Sequence, residues 1–206
     1  MNGEGLVTGW RHKEEERGWY QNRVNAGLHL FSDDLFSWMR EKGLLSERRR
    51  MDLDRDILKC LLPERKLYAY DSPEYVKDMG TPERWRSVSE DIHLDRVRAK
   101  NLSLPQRAVF LDRDGTINEY RGFLTDIEEF HLLPGAGEAI RLLNRTGVLV
   151  ILVTNQPVIA RGEVTEEQLE EIHRKMETLL GAEGAYVDAI YYCRHHPDSG
   201  FAGEIP

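Results

Sequence analysis

Phe110-Leu111-Asp112-Arg113-Asp114-Gly115-Thr116 decides how this chain is read. The preceding run, Ala108 to Leu111, is apolar and strand-like. Asp112 is therefore expected at the carboxyl edge of a parallel sheet, where open α/β folds place their ligands. Residues i and i+2 lie on the same side of an extended chain, and Gly115 permits a turn that aims both carboxylates into one small space. Mg²⁺ suits that space, because a hard cation with oxygen ligands removes the repulsion between the acids. With the metal bound by Asp112 and Asp114, Asp112 is the candidate in-line nucleophile at phosphorus. Asp114 is the candidate general acid that protonates the leaving alkoxide and then activates water.

The chain contains an internal comparison for this motif. Asp52-Leu53-Asp54-Arg55-Asp56 repeats the spacing, but the residues before it, Ser46 to Met51, are polar and basic. It also fails as a calcium loop, since Ile57 stands where the sharp-turn glycine belongs. It reads as an acidic helix start, with carboxylates near the positive end of the helix dipole.

The 206 residues suffice for one ordinary domain or two small or incomplete ones, and 40% hydrophobic content can build a core. A net charge of −8 argues against general affinity for nucleic acid or anionic membrane. The longest aliphatic run, Val148 to Val153, is too short to span a bilayer. Residues 1–11 lack an apolar signal core, and Cys60 and Cys193 do not form a disulfide framework, so a reducing, cytoplasmic setting is expected.

The polar, mixed-charge stretch 93–106 is expected as a linker between a first half, 1–92, and a second, 107–206. After it the pattern runs strand, helix, strand, helix, strand, as a parallel α/β sheet with flanking helices requires. Ala136 to Thr146 reads as a helix bounded by Pro134 and Gly147. Val148 to Val153 reads as a buried strand. Thr165-Glu166-Glu167-Gln168 has the form of a capping box, followed by Leu169, Ile172, Met176 and Leu179 at helical spacing until Gly181 closes the helix. Ala189 to Tyr192 is the next strand.

The second strand ends in Thr154-Asn155-Gln156, which a right-handed crossover places beside the carboxylates. A hydroxyl and two amides there can hold phosphoryl oxygens, more strongly as charge builds up in the transition state. Arg161 follows on a loop, where a guanidinium can meet a second anionic group. Taken alone, Thr154 also reads as a helix cap and Arg161 as a surface ion pair. Cys193-Arg194-His195-His196-Pro197 offers two convincing Zn²⁺ ligands where a closed site takes four, so a buried cysteine beside surface histidines is the equal alternative.

Together these residues resemble the haloacid-dehalogenase superfamily of aspartyl-phosphate phosphatases, whose first two motifs match Asp112 to Thr116 and Val153 to Asn155. The resemblance is closer to the histidinol-phosphatase-like branch and, within it, to heptose 1,7-bisphosphate 7-phosphatases. It rests also on Asp114 to Asn118, on Ile159-Ala160-Arg161-Gly162, and on Tyr191-Tyr192-Cys193 with His195-His196-Pro197, and it covers residues 107 to 206. Pro157-Val158 departs from the Ser-Gly usual in the family. The resemblance implies a phosphorylated sugar substrate contacted by Asn118, Thr154, Asn155, Gln156 and Arg161. It also implies structural zinc on Cys193 and His195 with two later cysteines. Those cysteines and the third and fourth motifs have no counterpart here, so the phosphatase domain is expected to be incomplete.

Residues 1–92 resemble the carboxyl-terminal part of a sugar-1-phosphate nucleotidyltransferase through Val24 to Gly27, Asp52 to Asp56, Leu67 to Tyr70 and Lys77 to Arg84. That resemblance implies Asp78 as a metal ligand, Lys13 at the sugar phosphate and Asn25 near the sugar. Without it, Asp78 is a turn residue before Gly80 and Lys13 a solvated charge. His12 replaces the glutamate usual beside that lysine, and the nucleotide-binding glycine loop has no counterpart. The expectation is a fragment of a bifunctional enzyme of nucleotide-activated heptose synthesis. A transferase as principal activity, a histidinol-phosphatase-like hydrolase and an inactive assembly module are the alternatives, with the oligomeric state left open.

Overall fold

Apolar runs bounded by turns become strands here, and the capped amphipathic segments between them become helices. In chain order the elements are α1 (Asp34–Glu41), a π-type turn (Leu53–Leu58) continuing into α2 (Lys59–Leu61), α3 (Pro82–His93) and α4 (Arg96–Ala99). They are followed by β1 (Ala108–Leu111), a 3-10 turn (Ile127–Glu129), α5 (Ala136–Arg145), β2 (Leu149–Asn155), α6 (Glu166–Ala182) and β3 (Ala189–Cys193). The computed structural model describes residues 5–10, 18–45 and 50–198. Lys13 and His12 lie outside the described residues. No helix among the described residues is long and apolar enough to cross a membrane.

Described residues 5–10, 25–45 and 50–72 belong to one compact unit, and 18–24 with 73–198 to a second. In the first, Met39 of α1 packs with Ile57, Leu58 and Leu61. Asp52 caps the turn of the repeated acidic motif, accepting from the Arg55 N–H at 2.9 Å, which makes it a helix start.

The second unit is an α/β layer with a parallel sheet in the order β1-β2-β3. Leu111 lies opposite Leu152, and Asn155 opposite Cys193. β2 runs past the expected Val153 through Asn155, because pairing with Tyr192 and Cys193 continues the ladder. Val150 and Leu152 of β2 pack with Ile140 of α5, Ile172, Met176 and Leu180 of α6, and the fully buried Phe130. The capping box at Thr165 forms with both of its hydrogen bonds. Gly181 does not close α6. The helix continues to Ala182, and Gly184 takes the left-handed turn at φ +71° while the Ala185 N–H returns to the Leu180 carbonyl at 2.9 Å.

Side chains of alternate parity point to the other sheet face, where Phe110, Val153 and Tyr191 are 69%, 47% and 62% exposed. Ile151 on this face is buried, so among the described residues the face is covered at the middle of β2 and open at Phe110, Val153 and Tyr191, although continuous apolar runs read as buried on both sides in sequence.

The segment 93–106 is tied to this unit. Lys100 and Asp188 form a buried ion pair at 2.6 Å, and the second oxygen of Asp188 accepts from the Val150 N–H at 2.7 Å. A Cβ on Gly147 would stand 2.5 Å from the Ala99 Cβ, so the chain after α5 passes close against α4. The division between units accordingly falls after residue 72, and α3 and α4 belong to the same unit as the sheet.

Asp91 of α3 is buried and accepts from Tyr75 Oη at 2.7 Å, Lys77 Nζ at 2.7 Å and Arg96 Nη1 at 2.6 Å. Burial opposes its charge but is outweighed by those three donors, which hold the carboxyl down at about 2. Burial and the adjacent carboxylate push the Tyr75 hydroxyl up to about 12. A carboxyl lowered on folding stabilises above its unfolded pKa of about 4 and loses that contribution as pH falls through the folded value. Asp91→Asn is expected to cost about 2–3 kcal/mol near neutral pH, with the difference from wild type shrinking as pH falls from about 4 to about 2. Urea unfolding across that range measures it.

Candidate functional site

β1 delivers Asp112 at its carboxyl end and the chain then folds back on itself. The Arg113 carbonyl accepts from the N–H groups of Thr116, Ile117 and Asn118 at 3.3, 2.8 and 3.1 Å. Gly115 sits at φ +80°, a conformation open to glycine at little steric cost, and its N–H reaches the Asn118 carbonyl at 2.8 Å. This tight loop brings Asp112 and Asp114 to a cleft of about 150 Å³. The end of β2 supplies Thr154, Asn155 and Gln156 to the same cleft, and Tyr120 and Phe123 form part of its wall. The Gln156 N–H donates to the Cys193 carbonyl at 2.7 Å, which fixes the ends of β2 and β3 together.

The two carboxylates stand in different surroundings. Asp112 is exposed, and its Oδ1 accepts from the Arg113 N–H at 2.7 Å. Asp114 is half-buried and surrounded by donors. Arg113 Nε and Nη2 reach its Oδ1 at 3.1 Å each, and Nη2 reaches Oδ2 at 2.9 Å. Asn118 Nδ2 donates to Oδ1 and Gln156 Nε2 to Oδ2, both at 3.0 Å. Burial works against ionisation of Asp114, but the Arg113 charge and these hydrogen bonds outweigh it and hold the carboxyl below its ordinary range. Asp112 has the freer oxygens for a cation, whereas both oxygens of Asp114 are already bound by side-chain donors.

Arg113 is fully buried. Besides Asp114, its Nη2 donates to Gln156 Oε1 at 3.0 Å, and its Nη1 meets His173 Nε2 of α6 at 3.4 Å. Gln156 passes the arrangement on, donating from Nε2 to Thr154 Oγ1 at 3.0 Å. Thr154 thus accepts from the amide and keeps its own O–H to donate into the cleft.

Burial, reinforced by the Arg113 charge and only partly offset by Asp114, lowers the His173 pKa to about 3. The neutral ring accepts from the guanidinium at Nε2, which assigns the proton to Nδ1. The ring also lies beside that of Tyr192, 5.7 Å between centroids. In the unfolded chain His173 takes up a proton near pH ~6.5. Between that pH and about 3 the unfolded state binds more protons, so stability falls as pH is lowered. The expected slope from this residue approaches about 1.4 kcal/mol per pH unit. His173→Gln should flatten it, measured as urea midpoints between pH ~4 and ~7.

The remaining sequence candidates lie apart from this cleft's lining. Arg161 stacks on Phe123 with its guanidinium carbon 4.0 Å from the ring centroid, and its Nη2 meets His196 Nε2 at 3.1 Å, so it backs the cleft wall. Asn118 is buried and holds Asp114. Cys193 and His195 are exposed after β3. Among the described residues no group of three or more His, Cys, Asp or Glu side chains is placed to hold a metal. Those two alone fall short of a closed zinc site. Asp78 accepts from the Gly80 N–H at 2.7 Å and pairs with Arg84, a turn leading into α3. Asn25 bonds Asp54 at 3.3 Å and accepts from the Gly27 N–H at 2.9 Å.

Sequence reasoning did not single out Arg113, His173, Tyr120 or Phe123. A charged residue inside D-x-D is ordinarily solvated, and His173 is flanked by Glu171, Arg174 and Lys175. Its position four residues after Leu169 and three before Met176, on the buried stripe of α6, was the available signal.

No protein-family model matches the chain. It is 44% identical over 95 residues to the D-glycero-beta-D-manno-heptose-1,7-bisphosphate 7-phosphatase of Yersinia pestis, covering 46% of this chain and 50% of that protein. It is 47% identical over 92 residues to the phosphatase of the same name from Photorhabdus laumondii, covering 45% and 49%. The solved D,D-heptose 1,7-bisphosphate phosphatase from B. bronchiseptica, complexed with magnesium and phosphate, shares 39% identity over 48% of this chain and 55% of that one, with a TM-score of 0.44. The chain spans about half the length of the curated relatives it matches. Some 45% of it aligns with proteins named D-glycero-beta-D-manno-heptose-1,7-bisphosphate 7-phosphatase.

Proposed function

We propose that this chain carries the nucleophile-bearing part of a Mg²⁺-dependent phosphatase that acts on a sugar bisphosphate, of the heptose 1,7-bisphosphate type. The observation that carries the reading is the shared cleft of Asp112, Asp114 and Thr154 at the carboxyl ends of β1 and β2. An Asp112 oxygen attacks phosphorus, the bond from phosphorus to the sugar oxygen breaks, and the departing alkoxide takes a proton from Asp114. Water then attacks the aspartyl phosphate and gives its proton back to Asp114, and inorganic phosphate leaves as the bond to Asp112 breaks. Thr154 and Asn155 hold the phosphoryl oxygens through both steps.

The donors around Asp114 favour its ionised form, which suits the base half of this cycle. Its acid half draws a proton when the anionic phosphoryl group enters. Mg²⁺ would sit on Asp112, whose oxygens face the cleft, and would neutralise charge between the carboxylate and the phosphoryl group. Cys193 and His195 would supply two of the four ligands that a closed structural zinc site takes, with no part in the chemistry. Asp78, Lys13 and Asn25 belong to a transferase-derived first half, which would activate the sugar 1-phosphate that the hydrolase makes.

The test is phosphate release from heptose 1,7-bisphosphate with and without Mg²⁺, together with fluorine NMR of beryllofluoride. Mg²⁺-dependent binding of beryllofluoride and release of one phosphate are expected. A chain that does neither is an inactive module.

A further inference from the structure

We infer that Arg113 and His173 are positioning residues for phosphoryl transfer, a buried clamp through which α6 sets the direction of the Asp114 carboxylate and the Thr154 hydroxyl. The inference rests on the hydrolase reading above and adds two residues that do not touch the substrate. Arg113 has none of its side chain in solvent, so its guanidinium cannot contact a phosphoryl group in the cleft. Among the described residues, every polar contact of that guanidinium is instead with a side chain of the site or of α6. Nε and Nη2 bind Asp114, Nη2 also binds Gln156 Oε1, and Nη1 meets His173 Nε2 at 3.4 Å.

The contact to Gln156 is the informative one. An amide has an oxygen and a nitrogen end, and a guanidinium only donates, so Arg113 takes the oxygen end of Gln156. The nitrogen end is thereby turned toward Asp114 Oδ2 and Thr154 Oγ1, at 3.0 Å each. Thr154 is then obliged to accept from the amide, and its proton remains for a phosphoryl oxygen. A reversed amide would face its NH₂ toward the guanidinium and its oxygen toward the Asp114 carboxylate, two repulsive contacts in a buried place. Arg113 thus decides the polarity of the whole chain from Asp114 to Thr154.

His173 secures the far end. It is 5% exposed and neutral, and its ring nitrogen takes the one guanidinium nitrogen that faces α6. A lysine in place of Arg113 keeps a charge near Asp114 but has no planar fork to serve Asp114, Gln156 and His173 at once. A buried charge held this way is weak evidence for stability in itself, because a well-packed apolar substitute often serves as well. A role in orientation accounts for the contacts better.

The experiment compares two esters on the full chain with Mg²⁺. p-Nitrophenyl phosphate expels a leaving group that needs no proton, whereas a sugar phosphate expels an alkoxide that does. Arg113→Lys is expected to lower kcat for the sugar phosphate about 10²-fold, by misdirecting the acid. The loss for the aryl ester should stay below about 10-fold, with KM for both nearly unchanged. His173→Leu should show the same split more weakly, and His173→Gln, which restores an acceptor for Nη1, should recover most of it. This second pair decides the matter if Arg113→Lys does not fold. Equal losses on both esters would overturn the direction of the acid by Arg113, and a His173→Gln variant no better than His173→Leu would overturn the clamp to α6, each while leaving the hydrolase standing. A wild-type chain that releases phosphate from neither ester overturns the hydrolase reading and this role with it.

Discussion

Asp112→Asn is expected to abolish aspartyl-phosphate chemistry, lowering phosphate release by at least about 10³-fold while leaving the fold intact. The amide keeps the size of the side chain and can still accept the Arg113 N–H, now at 2.7 Å, so the loop through Gly115 has no reason to move. What disappears is the anionic oxygen that attacks phosphorus and binds the cation. Asp112 is exposed at the end of β1, and its hydrogen bond from the Arg113 N–H is one that an amide oxygen also accepts, so the change carries little stability cost. Release measured with a coupled phosphate assay, beside an unchanged urea midpoint, checks both halves of the expectation. Undiminished turnover would falsify Asp112 as the nucleophile.

Asp188→Ala is expected to be the most damaging single substitution for stability in the sheet unit, by about 3–5 kcal/mol. Asp188 is 2% exposed at its side chain, Lys100 7%, and their ion pair at 2.6 Å is taken out of water. Deleting the carboxylate leaves an ammonium in a place where it cannot hydrate. It also strips the N–H of Val150, the first buried residue of β2, of its acceptor at 2.7 Å. Removing both members together, as Lys100→Met with Asp188→Leu, should recover much of the loss, since the penalty lies in the stranded charge. Chemical unfolding of the single and double variants separates the two. The same measurement reports on 93–106: a free linker would make Lys100 irrelevant to stability, whereas the ion pair makes it part of the sheet unit.

The elements legible in sequence were those whose cause is local. Ala108 to Leu111 is short, apolar and followed by Asp-x-Asp-Gly, and no long-range fact was needed to expect a strand that ends in a turn. Thr165 and Gln168 announce the start of α6 because both capping hydrogen bonds lie within four residues. The end of α6 was misread because two glycines compete there. Gly181 remains helical, and Gly184 is the one that adopts φ +71°. Strand burial was over-read for a different reason, since Phe110 and Tyr191 are apolar yet stand on the open face of the sheet.

What the chain determined by itself is therefore the strand that presents Asp112 and Asp114, the glycine that lets them turn into one cleft, and the hydroxyl and amides at the end of the next strand. Tertiary structure alone decided which charges are buried. Arg113 goes to His173, 60 residues away, and Lys100 to Asp188, 88 residues away. The physical reason is that a charge is solvated by default, and only partners brought from distant segments by the packed sheet and helices make its burial affordable. Local pattern carries no record of such partners, so nothing between the two acids marked Arg113 as a buried charge.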